Sequence, residues 1–222
     1  WARTKTGVEA DSLFRQAAEK YEAALKIKPD FHLALSNWGN ALSGWAKTKT
    51  GVEADSLFRQ AGEKYEAALK IKPDFVDALS NWGAALFDWA KTKSGIEADS
   101  LFGQAAEKHE AALEIMPDDH ETLNNLGSML ITWAQTKDKE KREELYKKAK
   151  DILVKADNIK EGIGSYNLAC LCALRSLENE CCEWLIRSKQ FGYLPPRQHL
   201  EQDTDLNSIK NKKWFMKFLE TL

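Results

Sequence analysis

Apolar residues in this chain recur at three- and four-residue spacings almost throughout. Leu57, Phe58, Ala61, Tyr65, Ala68, Leu69 and Ile71 form one such stripe, which predicts an amphipathic helix that Pro73 forbids from continuing. A second stripe runs from Phe75 through Ala78, Leu79, Trp82, Gly83, Leu86 and Trp89 toward Lys93. At the other junction, the Gly51 to Asp55 and Gly95 to Asp99 stretches each supply a turn glycine and then an acidic first turn suited to a helix N-terminus. Each unit reads as an antiparallel helical hairpin.

The hairpin repeats. The segment that opens at Trp1 returns at Trp45 and at Trp89 with a period of 44, a degraded fourth copy opens at Trp133, and a last helix pair spans 161–192. Gly39, Gly83 and Gly127, with Ala17, Ala61 and Ala105, remove bulk where helices are expected to cross, while Tyr21, Tyr65 and Trp82 are expected to fill the space between crossings. Trp1, Trp45, Trp89 and Trp133, one per unit, are expected to form a packing ladder along the hairpin tips. From 193 to 222 the repeat is lost, and Leu206, Ile209, Trp214, Phe215, Phe218 and Leu219 suit short helices that close the end of a stack. The domain reading is an array over 1–192 and a helical cap over 193–222. In the repeat register Trp1 falls inside a helix, so the natural chain is expected to continue upstream.

The order Ala34, Leu35, Ser36, Asn37, Trp38, Gly39, Asn40, Ala41, Leu42 on a first helix, followed by Ala61, Tyr65, Ala68 and Pro73 on a second, resembles the tetratricopeptide repeat (TPR). The family unit is about 34 residues, and the roughly ten extra residues here sit in the GWAKTKTGVEAD stretch at the intra-repeat turn, so both helices are expected to run one to two turns longer. The run from Tyr166 into the tail resembles the terminal module that follows some bacterial TPR arrays. The resemblance implies an all-α fold, a right-handed α-solenoid of antiparallel hairpins wound into a TPR-like superhelix.

Composition narrows the function classes. With 43% apolar and 30% charged residues the chain is expected to be ordered and soluble, and a net charge of −2 argues against nucleic acid or an anionic membrane as partner. No apolar run approaches the roughly 20 residues of a membrane span, so a cytoplasmic location is expected. His32, His109, His120 and His199 form no HExxH pair, and His109 stands where other copies have Tyr21 and Tyr65. The glycines at Gly162 and Gly164 read as a turn rather than a phosphate loop, and no GxSxG is present. No catalytic constellation emerges, so no enzyme activity, cofactor or metal is expected. Cys170, Cys172, Cys181 and Cys182 fall within thirteen residues, but the members of each pair stand about 200° and about 100° apart around a helix, unlike a C-x-x-C turn. Ordinary reduced core thiols are expected, with zinc or a disulfide as the alternatives.

The first two copies differ at seven positions: Arg3/Lys47, Ala18/Gly62, His32/Val76, Leu33/Asp77, Asn40/Ala84, Ser43/Phe87 and Gly44/Asp88. Leu33, Asn40 and Gly44 share one helix face and Ser43 sits beside them. The TPR resemblance implies that this face lines a concave groove carrying ligand specificity; a solvated face free to drift is the other reading. Asn37, Asn81, Asn125 and Asn167 occupy matching positions, where the resemblance implies hydrogen bonds to the backbone of an extended peptide, and local capping is the alternative. The specificity positions run Leu33, Asn40, Ser43, then Asp77, Phe87, Asp88, then Glu121, Ser128, Ile131, and no Lys or Arg stands where chaperone-binding TPRs grip a terminal carboxylate. The units that start at Trp1, Trp45 and Trp89 carry +1, −1 and −5, and residues 133–222 carry +3, which suits a partner with a basic or mixed segment. The sequence thus points to a non-catalytic scaffold that holds a protein or peptide, including missing parts of its own parent chain, in its groove. The alternatives are the regulatory region of a larger enzyme, such as a caspase-like peptidase, and a self-assembling repeat module.

Overall fold

The computed structural model describes residues 7–222, so Trp1 of the expected ladder and Arg3 lie outside the described residues. The chain divides into two compact units, Trp1–Pro117 and Asp118–Leu222. In the first are α1 (Gly7–Ile27), α2 (His32–Ala46), α3 (Gly51–Ile71), α4 (Val76–Ala90) and α5 (Gly95–Ile115). In the second are α6 (His120–Ala134), α7 (Lys139–Ile159), α8 (Ser165–Leu174), α9 (Glu178–Gln190), α10 (Arg197–Gln202), a 3-10 turn at Thr204–Leu206 and α11 (Lys213–Leu219). There is no strand among the described residues, and within each unit successive helices pack against one another as hairpins, the all-α class that the stripes predict.

Helix α3 shows why the sequence folds this way. Its stripe buries Ala54, Leu57, Phe58, Ala61, Tyr65 and Ala68, while Glu53 in the first turn and Lys70 in the last complement the two ends of the helix dipole. Pro73 ends it by forcing Lys72 into an extended conformation with φ −133°. The junction into α3 needs Gly51, whose φ of +57° lies in the left-handed region, and Gly95 repeats the device at +58° at the first residue of α5. The inserted stretch is shared unequally between the arms. Only Gly44, Trp45 and Ala46 extend α2, less than one turn, whereas Gly51 to Asp55 extend α3 by about one and a half turns. The expectation that both arms gain one to two turns is corrected on the first arm, because Lys47 to Thr50 form the turn itself.

The expected close crossings are present. A Cβ at Gly39 would stand 2.8 Å from the Tyr65 ring, and one at Gly83 would stand 2.8 Å from His109, which is buried where the preceding hairpin has Tyr65. In the second unit Gly127 faces Leu153 in the same way. Trp82 packs beside Tyr65, as expected, at the edge of the core. It is half-buried, its ring 6.4 Å from that of Tyr65 and covered by the Lys108 ammonium at 4.1 Å. Trp38 repeats the cover with Lys64 at 4.0 Å. Each tryptophan thus packs against the core between crossings with its outer face under a lysine stem.

At the hairpin tips the expected tryptophans are packed in a repeated clasp. Trp45 stacks on Phe14 with centroids 6.1 Å apart and donates its indole N–H to Asp11 at 2.8 Å, while Lys49 reaches the other oxygen of Asp11 at 2.7 Å. One repeat on, Trp89 stacks on Phe58 at 5.9 Å and donates to Asp55 at 2.7 Å, joined there by Lys93 at 2.7 Å. The ammonium hydrogen bond of Lys49 holds the Asp11 carboxyl below the usual aspartate range, with the Trp45 bond adding to it, and Lys93 does the same for Asp55.

In the second unit the tail packs on the last hairpin. Cys170, Cys181 and Leu185 share a core with Leu200, Leu206, Ile209, Phe215 and Leu219. Trp214 donates its indole N–H to Glu178 at 2.7 Å, and the Ser208 hydroxyl donates to the Ala173 carbonyl at 2.7 Å, so polar ties fix the tail where its apolar face is buried.

Candidate ligand-binding groove

A pocket of about 300 Å³ opens between α2 and α4 of the first unit, lined by Asn40, Ser43, Lys47, Tyr65, Asn81 and Asp88, with Gly44, Ala84 and Ala85 supplying its small-residue walls. The two amides come from successive hairpins. Asn40 is held in place from behind, because the Tyr65 hydroxyl donates to its Oδ1 at 2.7 Å. Tyr65 is itself buried, which pushes its phenol up and keeps it a neutral donor. With Oδ1 so engaged, the Nδ2 hydrogens of Asn40 remain as donors, and the Asn81 amide offers both a donor and an acceptor.

Asp88 is paired twice. Its two oxygens meet Lys47 at 2.9 Å and Lys91 at 2.7 Å, so its charge is shared between two lysines. Of the sequence-derived site residues in this unit, Asn40, Ser43, Asn81 and Asp88 are brought together, and Leu33, Asn37, Asp77 and Phe87 are not part of that pocket. Leu33, Asn37 and Asp77 are exposed. Phe87 turns toward the α4–α5 seam, its ring 6.1 Å from Phe102 and under Lys91 at 4.5 Å.

In the second unit Glu121 and Asn125 are exposed on α6, Ser128 is half-buried and Ile131 is buried. Asn167 is engaged within the protein, donating from Nδ2 to Asn124 Oδ1 at 2.8 Å.

Tyr65 and Lys47 are the pocket residues that reading the copies singly does not reveal. A signal for Tyr65 exists in the sequence: the hairpin with Asn40 carries Tyr65, and the hairpin with Ala84 in its place carries His109 in place of the tyrosine. The phenol and its acceptor change together.

The remaining chemistry-bearing residues gather in the second unit. Cys170, Cys172 and Cys181 are buried and Cys182 is half-buried, all as free thiols. Burial pushes Cys172 up to about 11 and Cys181 up to about 12. Cys170, Asp203 and Asp205 bring ligand-type atoms within 4.8 Å of one another. These groups are hydrogen-bonded inside the protein: the Tyr166 hydroxyl donates to Asp203 at 2.6 Å, the Cys170 thiol faces the same oxygen at 3.7 Å, and Gln135 donates to Asp205 at 3.0 Å. Gly162 and Gly164 form the turn into α8, with φ +88° at Gly162.

Residues 52–176 match a family model described as the plant-specific mitochondrial import receptor subunit TOM20. No curated protein matches the chain. The family match corrects the expected cytoplasmic location, since its description is of a mitochondrial receptor subunit. The physical reason is that composition and net charge report solubility and carry no address for an organelle surface. Among the described residues no helix is long and apolar enough to cross a membrane, and the expectation of no membrane partner finds no support in a family of mitochondrial receptor subunits.

Proposed function

Because the chain belongs to the family of the plant-specific mitochondrial import receptor subunit TOM20, we propose that it is a non-catalytic receptor holding a segment of a mitochondrial precursor protein in the groove of its first unit. The observation that carries this reading is the pairing of Asn40 and Asn81 across one pocket, one amide locked by Tyr65 and the other open to both donate and accept. An extended peptide presents a carbonyl and an N–H at each residue, and side-chain amides are suited to bond them without reading the side chains. In this reading the TPR-like array over 1–192 is the binding body and 193–222 closes it. Leu33, Asn37 and Asp77 extend the contact surface along the first helices of the first unit; on α6 Glu121 and Asn125 repeat those positions and Ser128 repeats that of Asn40. Exposed Asp77 and Glu121, with the charge of −5 over residues 89–132, favour a ligand with basic residues.

The test is a fluorescence-polarisation titration with a capped, labelled N-terminal segment of a mitochondrial precursor, run beside a version whose basic residues are replaced by glutamine. Saturable binding to the wild-type chain is expected, lowered by about 1–3 kcal/mol in an Asn40→Ala, Asn81→Ala variant. Circular dichroism of that variant should match wild type. Absence of saturable binding overturns the receptor reading, and equal affinity for the neutralised peptide overturns the basic preference alone.

A further inference from the structure

A second pocket, of about 540 Å³, lies in the second unit, where the turn from α6 into α7 meets the end of α8. Its charged walls are Lys139, Arg142 and Arg175 against Glu143, and Tyr146 and Leu174 supply apolar surface. We propose that this pocket binds a carboxylate side chain of an acidic segment in a partner protein. The inference is independent of the groove in the first unit.

The three cations are used in different ways. Arg142 is tied down by neutral groups, donating from Nη2 to the Lys137 carbonyl at 2.8 Å and from Nε to the Ala134 carbonyl at 3.4 Å. Those bonds fix the guanidinium at the pocket wall and leave its charge uncompensated. Lys139 makes no ion pair among the described residues. Arg175 meets Glu143 at 3.0 Å, with both side chains more than a third exposed, so an incoming carboxylate can share or replace that exposed partner at small cost. The phenol of Tyr146 lies in the field of Arg142, Arg175, Glu143 and Asp205, and burial holds it in its neutral, donating form. Asp205 is the second acidic neighbour. It is bonded to Gln135, and its own burial pushes its carboxyl up, which weakens its opposition to an anion.

Three cations against two carboxylates leave a single surplus positive charge. That balance suits the monoanion of a carboxylate better than a dianionic phosphate, and the flat fork of a guanidinium matches two carboxylate oxygens. A pocket this size has room for a short stretch of extended chain. The surroundings agree in sign, since residues 133–222 carry 17 Lys and Arg against 14 Asp and Glu.

The experiment titrates the isotope-labelled full chain with a capped hexaglutamate peptide at low salt and follows backbone amide and arginine side-chain resonances. The expected result is a set of shifts confined to residues around Arg142, Tyr146 and Arg175. Affinity should fall about tenfold in Lys139→Gln, Arg175→Gln and stay unchanged in the control Lys210→Gln, Lys217→Gln. Arg142 is left intact because its removal would free the tip carbonyls and unsettle the fold. Inorganic phosphate at the same concentration should leave the pocket resonances in place. Shifts centred on the Lys210 to Lys217 surface, equal affinity in the Lys139, Arg175 variant, or phosphate displacing the peptide would each overturn the assignment.

Discussion

At Gly39 the fold depends on a hydrogen atom. A methyl group there would press on the ring of Tyr65, which is buried and bonded to Asn40, so the ring has nowhere to go. Gly39→Ala is therefore expected to destabilise the chain by about 1–3 kcal/mol. Gly103, at mid-helix in α5, is the control: nothing lies within 4 Å of the place its Cβ would occupy. Gly103→Ala should stabilise by roughly 0.5–1 kcal/mol through helix propensity alone. Thermal melts of the two variants decide the matter, and equal shifts would show the crossing to be looser than described. A second residue-scale expectation concerns the thiols. With Cys172 and Cys181 held as protonated thiols near pH 8, iodoacetamide should label them slowly in the native chain and all four cysteines rapidly after denaturation. Fast native labelling of the buried three would contradict the packing of α8 against the tail.

Between elements, the Asp–Trp–Lys clasp at the hairpin tips converts charge into register. Asp11 and Asp55 are held below the ordinary aspartate value of about 4, so the unfolded chain binds more protons than the folded one as pH falls through that range. Their contribution is complete above about pH 4 and is lost as pH drops through the lowered folded values. In Asp11→Asn, Asp55→Asn the melting midpoint should fall at neutral pH and show a flatter decline in acid than wild type. An unchanged acid profile would mean that the clasp contributes nothing to stability. The packing role of the tip tryptophans was legible, and their partners were not. One tryptophan per repeat is visible in the sequence, but its partners, Phe14 and Asp11 for Trp45, lie 31 and 34 positions earlier, and periodicity within one helix does not point to them.

Across the whole molecule, the repeat made the helices and their close crossings readable, because Gly39, Gly83 and the 44-residue period each constrain packing in every copy. The site was less readable. Face periodicity put Asn40 and Ser43 side by side and both line one pocket, whereas the ring of Phe87, placed on the same face, meets Phe102 across the α4–α5 seam. Face periodicity also left out the partners of Asp88, which are Lys47 at the turn after α2 and Lys91 at the end of Asp88's own helix. Location was not readable, because a soluble composition is common to receptors at any membrane surface and to free cytoplasmic proteins. The receptor claim comes down to where a precursor segment sits. The direct measurement is the side-chain amide spectrum of the labelled chain during titration with that segment. The Asn40 and Asn81 side-chain amides should shift first and saturate together, and Tyr65→Phe should alter the Asn40 response while sparing that of Asn81. Saturation with both amides unmoved, and shifts gathered instead around Lys64 and Lys108 over their tryptophans, would contradict the receptor claim.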